Sequence, residues 1–160
     1  MKAVNLLLRH DDTFMALALN EAEKAFQKGE VPVGAVIVYN GQIVARAHNQ
    51  IELLKDATAH AEILAITQAS NYLSDWRLNE ATLYVTKEPC TMCAGAMVNC
   101  KLSTVVYGAE DPRSGAAGSA IDITGFKGNL HRVNVKSGVL KEDCLNILQK
   151  FFRERRKKKI

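Results

Sequence analysis

The stretch ATLYVTKEPCTMCAGAMVNCKLSTVVYG, Ala81 to Gly108, decides the fold. Its opening, Ala81 to Thr86, is rich in β-branched and aromatic residues and reads as a strand. Pro89 then opens a helix, because its fixed φ suits a first turn and its missing N–H has no helical partner to lose there. The helix is predicted to reach about Cys100, and Thr104 to Gly108 reads as a second strand. A helix carried between two strands of one sheet makes those strands parallel. The chain is therefore predicted to be an α/β protein.

Upstream, Gly34–Tyr39 and Gln42–Ala47 read as strands, and Asn40-Gly41 between them is a strong hairpin turn signal. Asp11 or Asp12 is placed to cap a helix running to about Lys28, with Phe14, Leu17, Ala18, Ala22, Ala25 and Phe26 at helical spacing and Gly29 as a stop. Residues 48–58 read as polar loop, and a second helix as starting near Ala59 or His60 and ending near Tyr72. Downstream, residues 109–130 read as a long loop holding Gly115-Ala116-Ala117-Gly118-Ser119-Ala120, a length that is often functional. Arg132–Lys136 reads as a fifth strand. Lys141 to about Arg156 reads as a final helix with Leu145, Leu148 and Phe152 on one face. The order α-β-β-α-β-α-β-β-α predicts a three-layer α/β/α fold around a five-stranded mixed sheet. It is read as one domain over residues 1–160, ending in a basic helical tail, 141–160.

Of the 160 residues 48% are hydrophobic, ample for one core. No apolar run approaches the roughly 18 residues of a membrane span, and the first nine residues lack the pattern of a secretory signal. A cytoplasmic protein is expected. In that compartment the four cysteines favour metal binding or catalysis over disulfides. Cys100 and Cys144, outside any motif, read as small core residues. The net charge of +4 hides an asymmetry: residues 150–160 carry seven basic side chains and one acid, +6, leaving −2 on the rest. Such a tail suits a polyanion, or simply a well-solvated helix end.

Two short stretches carry the chemistry, His60-Ala61-Glu62 and Pro89-Cys90-Thr91-Met92-Cys93. They supply one imidazole, two thiols and one carboxyl group. That is the inventory for a zinc ion with three protein ligands, His60, Cys90 and Cys93, an open fourth position and a proton shuttle, Glu62. Both stretches fall at predicted helix starts, at the carboxyl ends of strands where sites in open α/β sheets gather. Helix dipoles there favour thiolates. The competing account is a structural zinc site, which would take a fourth ligand from His10, His48, His131, Cys100 or Cys144; none has motif spacing to the three.

With these residues in place, the chain resembles the cytidine/deoxycytidylate deaminase superfamily. It is most similar to the bacterial tRNA adenosine deaminase branch, through Glu30-Val31-Pro32-Val33-Gly34-Ala35-Val36, Thr58 to Ile63, Ala81 to Thr86, Cys93-Ala94-Gly95-Ala96-Met97, Gly115 to Ser119 and Phe151-Phe152-Arg153. The resemblance implies a cytidine-deaminase-like fold and a cytoplasmic homodimer converting adenosine to inosine at the wobble position of a tRNA anticodon. It implies one Zn2+ per subunit on His60, Cys90 and Cys93, water attacking C6 of adenine, and Glu62 protonating N1 and then the departing ammonia. It further implies that Asn49 and the backbone of Ala61 contact the target base, and that Asp111 and the end of the last helix, Phe152 and Arg153, meet the anticodon stem-loop. His131 is a further candidate contact. The Asn-His-Arg that family members often carry before the fifth strand is here Leu130-His131-Arg132. Neither DNA nor a membrane is an expected partner. The alternative activity is deamination of a free base or nucleoside of the guanine or cytosine type; a non-catalytic, zinc-stabilised RNA-binding module is the third possibility.

Overall fold

The structure is a computed structural model that describes residues 2–159, with side chains from residue 10 onward. Its elements are α1 (Lys2–Gln27), β1 (Gly34–Tyr39), β2 (Gln42–His48), α2 (Ile51–Leu54), α3 (Ala61–Leu73), β3 (Thr82–Lys87), α4 (Thr91–Asn99), β4 (Thr104–Ala109), β5 (Asn134–Lys136) and α5 (Lys141–Lys157). The strands form one mixed sheet in the order β2-β1-β3-β4-β5. The β1–β2 hairpin turns on Asn40 and Gly41, both at positive φ (49° and 74°), and β1 also pairs antiparallel with β3. β3, β4 and β5 run parallel, as the crossover through α4 requires.

Alternation along the strands splits the core in two. Ala35, Ile37, Leu83, Val85, Val105 and Tyr107 point to one face, where they meet Ala61, Ala65 and Ala69 of α3 and Cys93 and Met97 of α4. Val36, Val38, Tyr84 and Val106 point to the other, against Met15 and Ala18 of α1 and Cys144 and Leu148 of α5. The result is the three-layer α/β/α sandwich. Cys100 lies in the first core and Cys144 in the second. Two glycines set the spacing of the second layer. A Cβ on Gly34 would run into the backbone of Ala18 and Ala22 of α1, and one on Gly108 into the Cys144 side chain of α5.

Four local expectations are corrected. α1 starts at Lys2, so Asp11 and Asp12 lie inside the helix rather than capping it. Asp11 instead accepts a hydrogen bond from the Tyr84 hydroxyl at 2.8 Å and pairs with Lys136, pinning α1 to β3 and β5. The 48–58 segment holds the one-turn helix α2, because the buried carboxylate of Glu30 accepts the N–H groups of Glu52 (3.1 Å) and Leu53 (2.8 Å) that would otherwise be unsatisfied. β5 spans only Asn134–Lys136. On α5 the buried stripe is Cys144, Leu148 and Phe151, and Phe152 is 43% exposed.

Candidate active site

His60 is the residue just before α3 and Cys90 the residue just before α4, both with extended backbone. The His60 side chain makes no bond to the N–H groups of its own helix, as a serine or aspartate would at that position. The side chains of His60 and Cys90 both turn toward the space between the two helix starts. Cys93, three residues on, sits one turn into α4 and is fully buried. The Nδ1 atom of His60 lies 3.6 Å from Cys90 Sγ and 3.5 Å from Cys93 Sγ. All three donor atoms fall within 4.8 Å of one another. Tetrahedral zinc, with bonds of about 2.3 Å to sulfur and about 2.05 Å to nitrogen, sets N···S edges of about 3.6 Å. The donor set and its spacing therefore fit zinc.

Hydrogen bonds and burial shift every titratable group of the cluster. Hydrogen bonding from Cys93, assisted by His60 and opposed by burial, brings Cys90 down to about 3. The Cys93 thiol is driven far above its ordinary range, first as the donor to Cys90 and then by burial. The hydrogen bond with Cys90 raises His60. Glu62, two residues after His60 and only 4% exposed, has its carboxyl raised by burial against several weaker opposing contacts. A divalent cation would relieve this arrangement by replacing the shared protons.

Beside the cluster is a cavity of about 180 Å³, whose floor we take as His60, Ala61, Glu62 and Cys90 at the helix starts together with Asn49; Val31, Val33, Ile51, Lys87 and Glu88 complete its lining. Asn49 is buried and fixed: its N–H donates to the Val33 carbonyl (3.0 Å) and its Nδ2 to that of Val31 (3.2 Å). Its Oδ1 is buried without a partner. Such an acceptor is costly unless something donates to it. Ala61, fully buried, opens α3 and brings the first backbone N–H groups of that helix to the floor.

A second groove shares Val31 and Lys87 with this cavity and brings in Asp111, Arg113, Ser114 and Phe152. Asp111 accepts from Ser114 Oγ (2.7 Å) and the N–H groups of Arg113 (3.1 Å) and Ser114 (3.2 Å), and pairs with Lys87 at 2.7 Å. Partial burial opposes its ionisation, but Lys87 and Ser114 outweigh that and hold the carboxyl well below the usual range. Arg153 follows Phe152 on the exposed side of α5. Asp111, Phe152 and the His60–Cys90–Cys93 cluster are thus gathered at the carboxyl edge of the sheet. His131 is not among them: its Nε2 donates to the Leu102 carbonyl at 2.7 Å, at the amino end of β4. Lys87, Glu88 and the Val31–Val33 wall went unnoticed as site residues in the sequence. The signal for Lys87 and Glu88 was their place between a strand end and Pro89-Cys90.

The MafB19-like deaminase family matches residues 9–156. The tRNA-specific adenosine deaminase of Bacillus subtilis (strain 168) is 50% identical over 152 residues, covering 95% of this chain and 94% of that protein. A solved structure from biochemical and structural studies of A-to-I editing by tRNA:A34 deaminases at the wobble position of transfer RNA superposes with a TM-score of 0.83 at 43% identity, over 85% of this chain and 99% of that one. The guanine deaminase of Bacillus subtilis is more distant, with a TM-score of 0.60 at 38% identity over 67% of this chain and 69% of the other.

Proposed function

The chain belongs to the tRNA-specific adenosine deaminase family, and we propose that it hydrolyses adenosine to inosine and ammonia at the wobble position of a tRNA anticodon. The observation that carries this reading is the His60–Cys90–Cys93 cluster set beside a buried Glu62 at the floor of a cavity. His60, Cys90 and Cys93 would hold the zinc ion, which would supply an acidified water near neutral pH.

The remaining work falls to the chain. Glu62 takes a proton from the attacking water and delivers it to N1 of adenine as the C6–O bond forms; it then takes the remaining proton of that hydroxyl and passes it to the amine, so that the C6–N bond breaks, ammonia leaves and C6 becomes the carbonyl of inosine. Its raised carboxyl suits a group that must hold a proton at one stage and release it at another. Asn49 Oδ1 offers its unpaired acceptor to a donor on the target nucleoside, and the Ala61 backbone contacts the base. Val31, Val33 and Ile51 pack against the base faces and exclude bulk water. The groove of Asp111 and Phe152, with Arg153 beside it, receives the nucleotides flanking the target; His131, at the amino end of β4, lies outside that path. An anticodon loop presents unpaired bases, so extruding the target costs little. The enzyme acts as a cytoplasmic homodimer; no helix of the described residues is long and apolar enough to cross a membrane.

The likeness to guanine deaminase makes a free base the second reading. Incubation with tRNA and, separately, with free adenosine, guanine and cytosine decides between them. Inosine appearing in tRNA is the expected result; turnover of a free base with tRNA left unchanged would overturn it.

A further inference from the structure

Three consecutive residues, Lys87, Glu88 and Pro89, link the end of β3 to Cys90, and each also holds the segment after β4. Lys87 Nζ pairs with Asp111 at 2.7 Å. Pro89 offers its carbonyl to the Ala116 N–H at 2.8 Å. Glu88 bonds twice, its N–H to the Ala109 carbonyl at 2.8 Å and its Oε1 to the Ser119 hydroxyl at 2.5 Å.

The Glu88 side chain is the unusual member. It is 2% exposed, and its Oε2 is buried with no hydrogen-bond partner. Gly115 makes the room it occupies, since a Cβ there would run into the carboxylate. Burial first, and then hydrogen bonding with Glu88, push the Tyr107 hydroxyl up to about 12. A buried side-chain oxygen left without a partner is expensive to keep. Glutamate here is poorly explained by packing, and Glu88 transfers no proton in the mechanism above. What it does have is a short bond from the Ser119 hydroxyl, at the far end of the 111–119 segment, with the Tyr107 hydroxyl beside it.

We propose that Glu88 is a positioning residue that docks the 111–119 segment onto the residues delivering Cys90, so that the segment facing the substrate and the start of α4 move as one body. The carboxylate acts through Ser119 and Gly115 on one side and through the backbone of Pro89 and Cys90 on the other. Part of this inference rests on the proposed RNA substrate: it is the 111–119 segment, through Asp111, that borders the groove for flanking nucleotides.

The test uses the zinc-loaded full chain with Ser119→Ala, which removes the donor, and Glu88→Gln, which keeps size and an acceptor oxygen but removes the charge. Amide hydrogen exchange is read at residues 111–120 and at 91–94. Both substitutions are expected to speed exchange about tenfold in the two segments together, with Glu88→Gln the milder. Exchange rising in the loop alone, or in neither segment, overturns the proposal whatever the substrate is. With a tRNA anticodon hairpin, KM is expected to rise about tenfold while kcat falls less than about threefold, the mark of lost positioning rather than lost chemistry. A fall in melting temperature with KM unchanged would reduce Glu88 to a purely structural role and also overturn it. A wild-type enzyme that leaves the hairpin untouched refutes the RNA reading, and the exchange measurement still decides the role of Glu88.

Discussion

The floor of the cavity and its rim are built by opposite means. On the floor, His60 and Cys90 are fixed by the backbone turn into a helix, Cys93 and Glu62 by burial, and Asn49 by two hydrogen bonds to the 31–33 link. On the rim, Phe152 is 43% exposed, Arg153 lies open on α5, and the basic residues beyond it crowd the helix end. Bond-making needs donors held to fractions of an ångström before substrate arrives. Attraction of a polyanion needs charge of the right sign within a Debye length, about 8–10 Å at ordinary ionic strength. A change on the floor should therefore alter rate, and a change on the rim affinity and its salt dependence.

The sharpest break of that contrast is at Glu62. Glu62→Gln keeps the shape and removes the shuttle; kcat should fall by about 10²–10⁴-fold with tRNA affinity little changed. Inosine formation at the wild-type rate would end the shuttle assignment. Next is Cys93→Ser, which should take zinc from about one ion per chain to none by metal analysis and remove activity with it. A variant that kept stoichiometric zinc would show that the ligand set lies elsewhere. Asn49→Ala removes the orphan acceptor at the edge of the floor. It should cost about 1–3 kcal/mol of transition-state binding, or about 5–150-fold in kcat/KM, while zinc content stays constant.

The same contrast explains what the sequence made legible. His60, Glu62, Cys90 and Cys93 can be read from spacing because a helix start converts sequence distance into spatial distance. The sheet can be read because strand alternation and the Asn40-Gly41 turn are local signals. The failures are tertiary. Asp11 resembles a cap, yet its carboxylate is used by Tyr84 and Lys136, which lie far along the chain. α2 exists because Glu30, more than twenty residues away, accepts its N–H groups. On α5 two apolar stripes compete: Leu145 and Phe152 lie seven residues apart, and so do Cys144 and Phe151. Phe151 goes inward because Phe26 of α1 waits at a ring separation of 5.7 Å, which no local pattern encodes. Glu88 was invisible for the same reason: its partners, Gly115 and Ser119, sit across the β4 crossover.

Asp111 lies where floor and rim meet, and its effect should be on stability. Its carboxyl is lowered on folding, so it contributes stability above the unfolded aspartate value, about 3.9, and loses that contribution as pH falls toward the folded value. Asp111→Asn should cost on the order of 1–2 kcal/mol at neutral pH and flatten the decline of melting temperature below about pH 4. An unchanged acid limb would mean that the Lys87 pair is too well screened to matter.

The smallest effect should come from the outermost rim. Lys157, Lys158 and Lys159 are exposed, whereas Arg155 stacks on Phe151 at 5.5 Å and belongs partly to the packing of α5. Replacing the three lysines by serine therefore tests charge without disturbing that contact, as a truncation would. If they touch phosphates, each releases condensed counterions on binding. The slope of log affinity against log salt should then fall by up to about 2–3 for the triple variant, and affinity at moderate salt by a few-fold. Turnover of bound tRNA should stay at the wild-type rate, because none of the three reaches the floor. A slope that did not move would assign the tail to solubility; a lower rate on bound tRNA would show that the rim also helps to place the base.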